Sequence, residues 1–197
     1  MAVIMSKQIV LPNRTKFVNY IQSAEGQYIN TKVNAKNTIR VVATFAWLGS
    51  SGASSALIGA RANGAGIIFY NEISKNNAYY VMFGGSYPAT GVGAEVGSTV
   101  VVDYDGPSKT VTVNGTPSSL GSATFSLSIP LFLFAINDNG TPSLTGPRRL
   151  YSCQIYDNGV LVRDFAPCYD KNGVACLYDK VSDEFYYNAG TGEFGAG

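Results

Sequence analysis

Short alternating runs and short wholly apolar runs dominate the chain, and no segment keeps a helical apolar period long enough to define a helix. Thr110-Val111-Thr112-Val113 alternates strictly, as a half-buried strand does, and Asn114-Gly115 follows it as a two-residue hairpin turn. The same reading predicts strands over 38–48, 56–60, 66–70, 78–83 and 98–104. Further strands are expected over 131–136, 149–156, 160–167, 175–179 and 184–187. Turn chemistry separates these runs at short spacing. Asp105-Gly106-Pro107, Asn139-Gly140, Asp157-Asn158-Gly159 and Lys171-Asn172-Gly173 suit positive-φ positions or tight reversals. So many short strands with closely spaced turns predict an all-β chain, a two-sheet antiparallel β-sandwich.

A chain of 197 residues suits one such domain. Residues 17–197 carry the strand pattern. Residues 1–16 are less patterned and are expected to form an arm that docks on a partner or a neighbouring copy. Gly49 to Ser55 reads GSSGASS, but strand-like sequence flanks it on both sides, so it is expected to be a loop within the domain. There is no internal repeat.

Composition narrows the function. Apolar residues make up 46% of the chain, which excludes a disordered polypeptide, and charged residues only 14%, against roughly a quarter in an average domain. Basic and acidic residues number 14 and 13, and Arg148-Arg149 is the one basic cluster. A phosphate-neutralising face and a polybasic membrane anchor are both missing, so no nucleic-acid partner is expected. Nor is membrane insertion, since no apolar run approaches the ~20 residues of a spanning helix. Histidine is absent, which removes Ser-His-Asp and Cys-His chemistry and every His-containing zinc site. The three cysteines, Cys153, Cys168 and Cys176, form neither a CxxC motif nor an even framework. Cys168 and Cys176 either pair across a hairpin or remain free buried thiols. The opening MAVIMSK has too short an apolar run for a signal peptide, so synthesis in the cytoplasm without Sec export is expected.

The most distinctive stretch is the C-terminal third. It contains Ile155 to Gly159 (IYDNG), Leu161 to Phe165 (LVRDF), Pro167 with Asp170 and Gly173, and Leu177 to Asp179. Phe185-Tyr186 with Asn188, and Gly190 to Phe194, complete it. This segment resembles the closing part of a concanavalin A-like (laminin G-like) jelly-roll sandwich of the type common in bacteriophage and gut-bacterial surface proteins. Tyr20 to Val33 is similar to that family's opening strands and Leu57 to Ala62 to a central one. The resemblance is weak over 63–130. Ala175-Cys176 stands where a glycine is common in the family.

The resemblance implies a non-enzymatic bacteriophage virion structural protein, as a head fibre, decoration or tail-fibre component, with a glycan-binding or host-adhesion surface. Its partners would be other virion proteins, copies of itself and cell-surface glycans. A homotrimer is the assembly implied, since fibres are often trimeric. A bacterial surface or secreted carbohydrate-binding module is the alternative reading, and a glycoside hydrolase the third. Sandwich glucanases place their carboxylates in a Glu-x-Asp-x-x-Glu arrangement, and none of Glu25, Glu72, Glu95, Glu184 or Glu193 starts that spacing. Asp103 and Asp105 share a strand face, but Asp105 opens a turn.

Sugar binding needs an exposed aromatic platform beside hydrogen-bonding side chains. Tyr87, Arg61, Trp47, Tyr70 and the loop Asn137-Asp138-Asn139 supply those types, and Asn137, Asp138 and Tyr87 are expected to be exposed on one rim. Trp47 ends an apolar strand and suits core or rim equally. Each of the pairs Tyr79-Tyr80 and Tyr186-Tyr187 should send one ring inward and one outward. Arg163-Asp164 is expected to be an ion pair at a strand edge. One carboxylate in the 137–140 loop is too few for calcium, which takes 6–8 oxygen ligands, so no metal or cofactor is assigned.

Overall fold

A computed structural model describes residues 15–49, 54–75 and 77–197. Two sheets pack face to face, with no helix among the described residues. The first sheet runs in the order β11 (Thr116–Ser119), β10 (Thr110–Val113), β9 (Thr99–Asp105), β4 (Ile39–Trp47), β15 (Arg148–Asp157), β16 (Val160–Tyr169), β17 (Ala175–Asp179) and β18 (Glu184–Tyr186). Short strands extend it: β1 (Lys16–Phe17) along β16, β2 (Ile21–Ser23) along β15, and β19 (Gly195–Ala196) along β2. The second sheet runs β14 (Thr141–Ser143), β13 (Ile136–Asp138), β5 (Ser55–Ala62), β6 (Ala65–Glu72), β7 (Ala78–Phe83) and β8 (Ala89–Gly93). In it, β12 (Ser126–Leu133) joins β5 to β3 (Ile29–Lys36). Among the described residues every strand pairing is antiparallel except that of β13 with β5.

The β-sandwich predicted from the pattern is therefore the fold. β7, β10 and β17 begin and end where the alternation places them. The apolar run over 131–136 is not one strand, however. Phe134 adopts φ 65°, breaks the run, and lets β13 leave β12 to pair parallel to β5. Asn114-Gly115, Asn139-Gly140 and Asn158-Gly159 all take positive φ between paired strands, as hairpin turns require. Gly106 is different. Its φ is ordinary, and glycine is needed because a Cβ there would lie 2.5 Å from the Asn37 carbonyl oxygen. Of the arm expected over 1–16, residues 1–14 lie outside the described residues, and Lys16 already pairs with Tyr169 of the sheet. The loop expected over Gly49 to Ser55 also lies largely outside them.

Inward-facing residues of both sheets make one core. At its centre Phe45 of β4 meets Phe69 of β6 and Tyr79 of β7 edge-on at 5.7 Å, while Phe69 and Tyr79 stack at 5.3 Å. Tyr79 is inside and Tyr80 outside, and Tyr186 inside with Tyr187 outside, as strand alternation demands. Alternation also splits Arg148-Arg149, so they form no basic surface cluster. Arg149 turns outward, donates to Gln22 Oε1 at 2.9 Å and lies over the Tyr20 ring. Arg148 turns inward and is fully buried.

The Arg148 guanidinium reaches from the first sheet into the second. Nε donates to the Ala56 carbonyl at 3.1 Å, and Nη2 donates to the Ser55 carbonyl, the Ser55 hydroxyl and Asn71 Oδ1. Its face rests 5.5 Å from the centre of the Phe45 ring. Burial lowers its pKa to about 10, with no carboxylate in contact to oppose the shift. Arg148→Met keeps an unbranched apolar stem but takes the guanidinium donors away from two buried carbonyls and leaves the Ser55 hydroxyl and Asn71 Oδ1 with only their bond to each other at 2.9 Å. Equilibrium denaturant unfolding should show a loss of about 3–5 kcal/mol. A loss below about 1 kcal/mol would mean the contacts between sheets are replaceable.

Candidate functional site

Strand alternation gives the second sheet an outer face of unusual character. Ile68 and Tyr70 of β6, Met82 of β7, Ala56 of β5 and Ile136 of β13 point away from the main core yet are at most 7% exposed. An outward face of an antiparallel sheet is ordinarily polar. Here Tyr80 and Leu144 pack onto the cluster from the solvent side. Tyr70 and Tyr80 sit opposite each other in register, with ring centres 6.1 Å apart, and the Lys75 ammonium lies 5.1 Å from the Tyr80 ring. Burial pushes the Tyr70 hydroxyl up to about 12.

A charged pair borders this cluster. The parallel register of β13 and β5 sets Asp138 opposite Arg61, and the guanidinium grips the carboxylate with two bonds, Nε to Oδ1 at 3.0 Å and Nη2 to Oδ2 at 2.6 Å. Both side chains remain about one-third exposed. The hydrogen bonds from Arg61 hold the Asp138 carboxyl below the usual carboxylate range. The Tyr87 hydroxyl lies close enough to the same guanidinium to help hold it charged, and Tyr87 is 47% exposed. Three residues expected on sequence grounds, Arg61, Tyr87 and Asp138, thus come together, joined by Tyr70 beneath and Tyr80 alongside.

The other expected residues lie elsewhere or do other work. Asn137 is not on the exposed rim. It follows Ile136 and precedes Asp138, so alternation turns it under the hairpin, where its Nδ2 donates to the Pro130 carbonyl at 2.9 Å and its Oδ1 accepts from Gly140 N at 2.7 Å. Asn139 is exposed in a left-handed turn conformation, and its backbone N–H donates to the Arg61 carbonyl. Trp47 is a core residue, 3% exposed. Arg163 and Asp164 do not pair with each other, because adjacent strand residues point to opposite faces. Arg163 lies 3.6 Å from Asp179, and Asp164 lies 3.6 Å from Lys180.

Sequence reasoning did not single out a second aromatic cleft, of about 240 Å³, lined by Arg40, Asp105, Tyr156 and Asn158. The signal was the i, i+2 pair Asp103 and Asp105: Arg40 stands opposite Asp105 in register and diagonal to Asp103. Arg40 binds Asp103 with two hydrogen bonds of 2.7 and 2.8 Å and lies 4.0 Å from Asp105. The Asp157 carboxylate is likewise occupied, by Lys36 and Thr38. Among the described residues, no three His, Cys, Asp or Glu side chains gather as a metal-binding set. A general acid needs a carboxyl held above its ordinary value. Glu72, Asp138 and Asp170 are held below it by hydrogen bonds, and so is Asp157, where the bonds from Lys36 and Thr38 outweigh burial.

No family model matches the chain, and no curated protein matches it. Among solved structures it is similar to a candidate carbohydrate-binding protein from Bacteroides ovatus, with a TM-score of 0.63 at 10% identity. The match covers 91% of this chain and 60% of that one, so the chain spans less than two thirds of its neighbour's length. At that identity the likeness concerns the fold.

Two measurements test the assignments of Asn137 and Asp138. Asn137→Ala leaves the Pro130 carbonyl and the Gly140 N–H unpaired and should cost about 1–3 kcal/mol in denaturant unfolding, whereas Asp138→Ala should cost at most about 1 kcal/mol. The pH dependence has a defined sign. Because the folded-state pKa of Asp138 is depressed, its contribution is complete above the unfolded value near 4 and disappears as pH falls through the folded value. Melting temperature followed from pH 7 to pH 2 should fall less steeply in Asp138→Asn than in the parent chain.

Proposed function

We propose that the chain is a non-enzymatic carbohydrate-binding β-sandwich of the concanavalin A-like type, displayed on the surface of a bacteriophage particle as a fibre or decoration component. One observation carries the binding part: an exposed tyrosine edge beside a two-pronged Arg–Asp pair, over an apolar outer face of the second sheet. Sugars present an apolar C–H face and a ring of hydroxyls that both donate and accept. Tyr80 and Tyr87 offer aromatic surface for the first, while the free edges of Arg61 and Asp138 offer a donor and an acceptor for adjacent hydroxyls. The Bacteroides ovatus neighbour, named for carbohydrate binding, supports the same reading by analogy of fold.

The particle setting rests on the sequence resemblance. Other virion proteins or further copies of the chain would be its partners there, as a trimer in a fibre, after cytoplasmic synthesis and release with the particle. The neighbour favours a second setting, a bacterial surface or secreted module that uses the same face. Neither reading needs a cofactor. The carboxylates at Asp103 and Asp157 are engaged by Arg40 and Lys36, which supports binding without hydrolysis.

A glycan array probed with the purified chain and with Tyr87→Ala tests the site. Tyr87 is largely exposed, so the variant should fold, and its binding should fall at least about tenfold if stacking contributes the 1.4 kcal/mol that such a factor represents. Selective binding that survives both Tyr87→Ala and Asp138→Ala would move the site to another face. Absence of binding across the array would remove the carbohydrate reading.

A further inference from the structure

The outer face of the first sheet carries its own small apolar cluster, and two of its members are thiols. Cys168 of β16 and Cys176 of β17 stand directly opposite each other, with Tyr178 beside them and Phe185 packed against the group. Their sulfurs are 3.5 Å apart. Cys153 is separate, buried in the core between the sheets. We propose that Cys168 and Cys176 are a disulfide-forming site, closed by thiol–disulfide exchange with a small disulfide such as oxidised glutathione. The proposal does not depend on the carbohydrate reading.

The geometry asks little of the backbone. Opposed residues on antiparallel strands have Cα atoms about 4.5–5.5 Å apart, inside the range of about 4.4–6.8 Å that a disulfide spans. Both side chains leave the same face, so sulfurs at 3.5 Å reach a bonding distance of about 2.05 Å by small χ1 rotations. The five-residue turn from Asp170 to Val174 already holds the two strands in register through Asp170 N donating to the Val174 carbonyl.

The pair is chemically asymmetric. The hydrogen bond between the two sulfurs lowers the Cys168 thiol despite burial, and the same bond together with burial raises Cys176. The Asp170 carboxylate, facing the pair from the turn, opposes ionisation of both thiols, and the Tyr187 hydroxyl lies beside it from beyond β18. Cys168, on the strand flanked by the two-residue edge strand β1, is the thiol an external disulfide reaches first and so the first nucleophile. Its thiolate attacks one sulfur of the glutathione disulfide, forming a mixed disulfide and releasing one glutathione thiolate. Cys176 then loses its proton to solvent and attacks Cys168 Sγ, expelling the second glutathione. Two protein thiols are oxidised, and one external disulfide is reduced to two thiols.

Access is through the edge. Cys168 is covered in register by Phe17 of β1, a two-residue strand whose phenylalanine is 43% exposed. So short an edge strand opens locally at low cost. Outside a reducing cytosol, where such bonds persist, closure would pin β16 to β17 and fix the turn whose Asp170 accepts from the Tyr187 hydroxyl at 3.1 Å.

The test uses the intact chain incubated in oxidised and then reduced glutathione, with free thiols counted after unfolding and the product mapped by mass spectrometry. Oxidation should lower the thiol count from three to one, leave a monomolecular product two hydrogens lighter, and raise the melting temperature by several degrees. Reductant should reverse all three changes. Cys153→Ser should oxidise like the parent chain, and Cys176→Ser should stop at a glutathione adduct on Cys168. Three free thiols after prolonged oxidation, a bond that uses Cys153 or a second chain, or a mixed disulfide that persists in the parent chain would each overturn the proposal. Array binding measured on both redox forms keeps this outcome separate from that of the carbohydrate site.

Discussion

A single buried cation fixes how the two sheets meet. Arg148 enters the core from the first strand residue of β15, and every hydrogen bond its guanidinium makes is to β5 or β6 of the opposite sheet. Hydrophobic contact alone would let two flat apolar faces slide over one another, because it has no direction. A guanidinium whose Nε and Nη2 must find Ala56, Ser55 and Asn71 permits one alignment. The arrangement is also demanding. Nη1 has no protein acceptor among the described residues, so carbonyl and amide dipoles and the Phe45 ring stabilise the charge without a carboxylate. That explains two otherwise odd features of the core, a fully buried Ser55 and a fully buried Asn71.

With the inner faces committed in this way, function is left to the outer ones, and both are more apolar than solvent-facing sheets usually are. The second sheet carries the Ile68, Tyr70, Met82 and Ile136 cluster behind its tyrosines, and the first carries the cysteine and Tyr178 cluster behind Phe17 and Phe185. Such outer clusters hold side chains still. Tyr80 is fixed by packing on its apolar neighbours and by Lys75 above its ring, so its aromatic surface is already oriented before anything binds.

The sequence was legible where one physical rule acted alone. Strict alternation ending in Asn-Gly gave β10 and its turn, because period and turn chemistry agree there. It was not legible at Phe134, where an unbroken apolar run hides a left-handed residue that tertiary pairing alone enforces. The short strands β8, β11, β14 and β19 are mostly exposed and carry too little buried alternation to show in the sequence. Of the residue types singled out as sugar-contact candidates, the fold brings Arg61, Asp138 and Tyr87 together from three separate segments. The misplacement of Asn137 has one cause. Neighbouring residues on a strand face opposite ways, so a cluster of polar residues in sequence cannot be a cluster on one surface. Arg148 carried no signal at all, since adjacent arginines read as surface until the register of β15 is known.

The pairing of Arg61 with Asp138 also constrains the kind of ligand that suits this face. A free guanidinium would select carboxylates, sulfates or phosphates through its charge. Here the charge is already neutralised by two short bonds, and the nearby Lys75 and Glu72 bring one charge of each sign. What remains is directional hydrogen-bonding capacity with little net field: the remaining guanidinium N–H groups, the outer carboxylate lone pairs and the Tyr87 hydroxyl. An anionic polymer gains little from such a surface and must compete with Asp138 for Arg61. A neutral polyhydroxylated ring can bridge donor and acceptor without breaking the pair, while its apolar face covers the tyrosines. For the carbohydrate binding proposed above, neutral glycans would suit the face better than uronate or sulfated ones, and raising the salt concentration should change that binding little.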